Sequence, residues 1–147
     1  MDILEIKDLE TLAQKRVPKM FFDYVNSGSW TETTYNENIS DFQKIKLRQR
    51  VAIDMSNRTL ETKMINQPVS MPVAIAPTGL TGMQRADGEI LAAQAAEEFG
   101  VPFTLSTMSV CSIEAVAEKT KKPFWFQLYV MKDKKFMARL IDRAKEA

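Results

Sequence analysis

Two rhythms of apolar and polar positions divide the chain near residue 70. In the first stretch, Leu9, Leu12 and Ala13 recur at helical spacing. Pro18 interrupts them, and a second helical run follows from Met20 to Val25. Asn26-Ser27-Gly28-Ser29 ends that run in a turn, after which Tyr35, Ile39 and Phe42 line one face of a third helix. Between Lys44 and Arg58, the basic residues Lys44, Lys46, Arg48 and Arg50 partly alternate with Ile45, Leu47 and Val51. That alternation reads as an exposed edge strand or a solvated face. Asn66-Gln67 suits the turn of a hairpin.

After residue 70 short apolar runs alternate with helical patterns. Val73-Ala74-Ile75-Ala76 follows Pro72, Phe103-Thr104-Leu105 follows Pro102, and Phe124 to Val130 follows Pro123. The runs begin 30 and then 21 residues apart and read as buried parallel strands. The first following helix starts after Asp87 as N-cap, turns Ala92, Ala95, Ala96 and Phe99 inward, and stops at Gly100. The second has Ser112 as N-cap, Glu114 in its first turn, and Ile113, Val116 and Ala117 inward. The third opens at Asp133 and aligns Met137, Leu140, Ile141 and Ala144. Strand and helix alternating three times specify an α/β fold with parallel strands. The spacing is near the repeat of a (β/α)8 TIM barrel, whose eight units take roughly 200 residues or more. The expectation is a single incomplete domain over 1–147, with an N-terminal extension at 1–70 and three βα units at 71–147.

Composition narrows the chemistry. The 147 residues carry 20 basic and 19 acidic side chains, a net charge of +1, which argues against nucleic acid held by phosphate contacts. One cysteine and no histidine exclude a disulfide framework and disfavour a zinc site. Acids interrupt the opening MDILEIKDLE, so it does not read as a secretory signal, and the expected compartment is the cytoplasm. The missing histidine also removes the commonest general base.

In α/β folds chemistry gathers at the carboxyl ends of the strands. Those ends carry Pro77-Thr78-Gly79, Ser106-Thr107, and the pair Gln127 and Tyr129. Gln127 and Tyr129 lie two apart and share a strand face, opposite Phe126, Leu128 and Val130. A buried glutamine and tyrosine need hydrogen-bond partners, supplied by a bound heterocycle or by each other, water and neighbouring strands. Gly79 and Gly82 flank a loop open to close backbone approach, without the spacing of a phosphate-binding motif. Cys111, just before a helix start, is a candidate for a lowered pKa.

Four runs resemble the FMN-dependent 2-hydroxy acid dehydrogenases and oxidases. They are Lys19 to Val25 with Ser27-Gly28, Met71 to Leu80, Phe103 to Thr107, and Trp125 to Val130, in the family's order and spacing. Leu47-Arg48-Gln49-Arg50, Leu60-Glu61-Thr62 and Ser106 to Cys111 are similar to the family's bacterial quinone-linked, L-lactate-oxidising branch. The resemblance implies a TIM barrel that oxidises L-lactate to pyruvate, or another 2-hydroxy acid to its 2-oxo acid, with hydride transfer to FMN. It implies that Tyr24 and Tyr129 bind substrate, Tyr24 at the carboxylate. Pro77, Thr78 and Gly79 pass their backbone along the flavin, and Ser106 and Gln127 bond its polar edge. It also implies a small 2-hydroxy acid and a quinone or other electron acceptor as partners, a homo-oligomer when full length, and peripheral attachment to the inner face of the cytoplasmic membrane. The family's base histidine, clamping arginines and flavin-facing lysine come from later strands, so no catalytic residue is assigned in this chain and the fragment alone is expected to be inactive. Met108 stands where several plant-type oxidases carry tryptophan, which counts against glycolate oxidase and leaves substrate size open. Glycolate oxidase and mandelate dehydrogenase relatives remain the alternative within the family. A non-catalytic truncated gene product is the alternative from another class.

Overall fold

The computed structural model describes residues 2–147, which form two compact units, one ending at Arg58 and the other spanning Thr59–Ala147. In the first unit α1 covers Ile6–Arg16, α2 Lys19–Val25 and α3 Thr33–Ser40, with a 3-10 turn at Asp41–Lys44. The Asp8 carboxylate anchors the start of α1 by accepting from the amides of Leu4 and Glu5 at 2.8 and 3.1 Å. Those bonds hold its pKa below the ordinary carboxylate value. Pro18 caps the start of α2 from the position before it, where a missing N–H costs nothing. Phe22 is the buried anchor of this unit. The expected third helix forms, but Tyr35, Ile39 and Phe42 remain exposed, Phe42 at 74%. The basic stretch after Lys44 forms neither strand nor helix and is exposed, as a solvated face.

The second unit opens with an antiparallel hairpin, β1 (Thr62–Met64) against β2 (Gln67–Val69). Ile65 and Asn66 turn it with φ of 46° and 63°, both left-handed, the geometry that twists two strands into register. The parallel layer follows. Ile75 bridges Phe103, and β3 (Thr104–Ser106) pairs with β4 (Trp125–Gln127) in the register Thr104–Trp125, Leu105–Phe126, Ser106–Gln127. The run at 73–76 makes a bridge and no longer ladder. Pro72 and Pro77 bracket it without N–H groups, and the Val73 amide donates to the Met71 carbonyl.

Between these strands lie α4 (Thr81–Gln84) with α5 (Gly88–Phe99), then α6 (Ile113–Ala117), and α7 (Lys134–Glu146) follows β4. The core is Ala93 and Ala96 of α5, Phe103, Leu105, and Ile113 and Val116 of α6. Ser112 and Asp133 cap their helices by accepting from the amides of Ala115 and Phe136 at 3.1 and 3.0 Å. Gly100 ends α5 at φ 71°, where a side chain is disfavoured. Three expectations are corrected. Asp87 precedes α5 but sits at φ 57° and makes no side-chain cap. The buried face of α5 runs through Glu89, Ala93 and Ala96, whereas Ala95 and Phe99 are exposed and Ala92 is half-buried. β4 stops at Gln127, leaving Val130 79% exposed.

Candidate functional site

The register sets the carboxyl ends of the three parallel segments side by side. Ser106 is buried at the end of β3, and its hydroxyl donates to Gln127 Oε1 at 3.2 Å while accepting from the Met108 amide at 3.0 Å. The Thr107 amide donates to the Gln127 carbonyl at 3.1 Å and approaches Oε1 at 3.4 Å. The Thr107 hydroxyl donates to the same carbonyl and accepts from the Tyr129 amide. Ser106, Gln127 and the Tyr129 backbone therefore form one connected cluster. The Tyr129 ring stands 54% exposed beyond it.

The loop at 77–80 joins the cluster through its backbone. The Leu80 amide donates to the Met108 carbonyl at 2.9 Å, and the Thr81 hydroxyl donates to the Thr78 carbonyl at 3.1 Å. Pro77 and Thr78 are exposed and Gly79 is half-buried. The strained residue of this loop is Leu80, at φ 56°, rather than either flanking glycine. A branched residue in that region costs of order 1–3 kcal/mol and persists only where surrounding contacts enforce it. Tyr24 belongs to the first unit, near the end of α2, with its ring 56% exposed.

Sequence reasoning overlooked Glu89. It is 2% exposed, in the first turn of α5, and its Oε1 accepts from the amides of Gly82 at 3.0 Å and Val110 at 2.9 Å. Burial pushes its pKa up, but the amides of Val110 and Gly82, its own amide and the Cys111 thiol outweigh it, so the carboxyl lies below its ordinary value. The available signal was its spacing, since positions 89, 93 and 96 share one helix face with the core alanines. Cys111 reverses its expectation: burial and the neighbouring Glu89 carboxylate push the thiol pKa up.

The cluster can be tested for fit to a flavin. Gln127 Oε1 is engaged within the protein, whereas its Nε2 donates to none of the described residues. Its two N–H donors are therefore left without a partner among the described residues, and donors at the strand ends suit the acceptor-rich edge of an isoalloxazine. The residues present fit the group. Among the described residues no cluster of histidine, cysteine and carboxylates could hold a metal ion, and no helix is long and apolar enough to cross a membrane.

The chain is 51% identical to an L-lactate dehydrogenase of Acinetobacter baumannii over 140 residues, covering 95% of this chain and 37% of the relative. It is 48% identical to the L-lactate dehydrogenase of Acinetobacter baylyi over its whole length, which covers 38% of that protein. The chain thus spans little more than a third of the curated relatives it matches. Among solved structures, a soluble mutant of the membrane-associated (S)-mandelate dehydrogenase of Pseudomonas putida superposes with a TM-score of 0.92 at 35% identity, over 99% of this chain and 41% of that one. A Pediococcus acidilactici lactate oxidase superposes with a TM-score of 0.91 at 31% identity, over 99% of this chain and 41% of its own. These neighbours are TIM-barrel proteins, and the parallel segments here are the opening part of such a barrel, not a closed one. The family of FMN-dependent dehydrogenases matches residues 13–147, and the chain belongs to it.

Proposed function

We propose that this chain forms the N-terminal third of an FMN-dependent dehydrogenase that oxidises L-lactate to pyruvate, and that it supplies the edge of the flavin pocket. The observation that carries the reading is the Gln127 amide, held by Ser106 and Thr107 through its oxygen while its nitrogen has no partner among the described residues. Bound FMN supplies the acceptor for the hydride leaving the substrate's α-carbon. Ser106 and Gln127 would hold its polar edge, and the backbone of Pro77, Thr78 and Gly79 would line its ring. Leu80 keeps that backbone close by its bond to Met108. Tyr129 would hydrogen-bond the 2-hydroxy acid and so help to orient its α-carbon; for Tyr24, in the first unit, the family resemblance alone supports a substrate-binding role. This chain contains no histidine, so none of its residues takes the histidine base's role.

Open apolar surface supports the larger barrel. Ile75, Ala92, Ala95, Ala96, Phe99 and Val101 line an unfilled hollow of about 300 Å³, the kind of surface that further barrel elements cover. The whole protein is proposed to pass electrons to a quinone, to form a homo-oligomer, and to attach peripherally to the inner face of the cytoplasmic membrane. The membrane-associated mandelate dehydrogenase neighbour supports the last point.

The test is a chimera in which residues 1–147 replace the matched first 38% of the A. baylyi enzyme. With a quinone analogue as acceptor, the chimera is expected to turn over L-lactate faster than glycolate or mandelate. A folded chimera that binds FMN but oxidises none of the three contradicts the reading. Preference for mandelate would replace lactate as the substrate.

A further inference from the structure

The two loops that border the proposed flavin edge are tied by a group no flavin role accounts for. Glu89 is a carboxylate at a core position, between the loop after the Ile75 segment and the loop after β3. One oxygen accepts from Gly82, three residues beyond Gly79, and from Val110, two residues beyond Met108. Without it two amides in a half-buried cleft lose their acceptor, each orphan a substantial penalty. The approach is close enough to require a glycine. A Cβ at Gly82 would lie 2.7 Å from Val110 Cβ and 3.0 Å from Glu89 Oε2. A direct backbone tie also runs from the Leu80 amide to the Met108 carbonyl, and its donor is the residue held at φ 56°. A strained contact of this kind needs a second restraint nearby.

We propose that Glu89 is a positioning residue for the flavin site, a bracket that sets the spacing between the segment at 77–82, which runs into α4, and the segment at 106–110, which leaves β3. The inference rests on the reading that these loops border the isoalloxazine. Glu89 touches neither cofactor nor substrate in this account. It acts through Gly82 and Val110, and through them on Gly79 and Met108. Its role is that of an acceptor, since the Gly82 and Val110 amides both donate to the one oxygen.

The experiment uses the holo-chimera described above with Glu89→Ala and Glu89→Gln. Glutamine keeps one acceptor oxygen at nearly the same reach, and alanine keeps none. Glu89→Ala is expected to raise the FMN dissociation constant about tenfold or more, while Glu89→Gln stays within about threefold of the parent. Peptides spanning Gly82 and Val110 should exchange amide hydrogen faster in Glu89→Ala, with those over α7 unchanged. A residue that only stabilised the unit would lower the melting temperature and speed exchange throughout, with FMN affinity per folded molecule unmoved. That result overturns the proposal, as does Glu89→Gln behaving like Glu89→Ala. A parent chimera that folds without taking up FMN defeats the flavin reading before any Glu89 variant is made. The exchange comparison, run on that apoprotein, then upholds or overturns the bracket on its own.

Discussion

Ser106 and Gln127 are each other's partners, and their coupling can be measured. Ser106→Ala removes the donor to Gln127 Oε1 and the acceptor of the Met108 amide. Each neutral bond contributes about 0.5–1.5 kcal/mol, and an orphaned buried N–H costs about 1–3 kcal/mol. Ser106 is 4% exposed, so water cannot readily replace the lost acceptor, and the expected cost is about 2–3 kcal/mol. Gln127→Met keeps the shape but orphans the Ser106 hydroxyl, for about 1–2 kcal/mol. With Ser106 already alanine there is no hydroxyl to orphan. The double variant should therefore be more stable than the sum of the single costs implies, by about 1 kcal/mol. Urea unfolding followed by Trp125 fluorescence reads this, in a Trp30→Phe background that silences the fully exposed indole of the first unit. With a slope of about 1–3 kcal/mol per molar, Ser106→Ala should move the midpoint by about 1 M or more. Single costs that add within about 0.3 kcal/mol would refute the pairing on which the site is built.

Other outcomes follow from the core, a cap and an ion pair. Leu105→Ala, at a fully buried position, should cost about 2–5 kcal/mol in the same urea assay, and a loss under 1 kcal/mol would contradict its place in the core. Gly100→Ala forces a side chain to φ 71° and brings its Cβ to 3.3 Å from Ser70, so a melting scan should show a loss of roughly 1–2 kcal/mol. The bidentate Arg143 guanidinium, at 2.6 and 2.8 Å, holds the Glu114 carboxyl down to about 2 from its ordinary 4.5. A depressed carboxyl contributes stability above its unfolded pKa and loses it as pH falls through the folded one. Glu114→Gln should therefore be less stable than the parent at pH 6, with the gap closing between about pH 4.5 and 2. A gap unchanged across that window would show that the pair does not act.

Where local chemistry decided an element, the sequence displayed it. Ser112 and Asp133 cap their helices, Gly100 stops α5 in the left-handed region, and Asn66 turns the hairpin. Where long-range packing decided, the sequence misled. Phe99 fits a helical apolar face as well as Ala93 does, yet Ala93 is the one that meets Leu105 and Val116. Asp87 has a cap residue's chemistry, but its left-handed backbone turns that side chain away from the role. At the site, period two put Gln127 and Tyr129 on one face, while only the register with β3 revealed Ser106 as the glutamine's partner. Glu89 was missed because a charge in a first helical turn is ordinarily solvated. Its burial depends on two amides contributed by loops 7 residues before and 21 residues after it.

The central claim is that the strand ends at Pro77-Thr78-Gly79, Ser106 and Gln127 border the flavin. A crystal structure of the chimera with FMN bound tests it most directly. The account predicts Gln127 Nε2 within about 2.7–3.2 Å of the polar edge of the isoalloxazine, with the backbone of residues 77–79 along the ring. A flavin seated away from these loops, or Gln127 Nε2 donating to the protein instead, would contradict it.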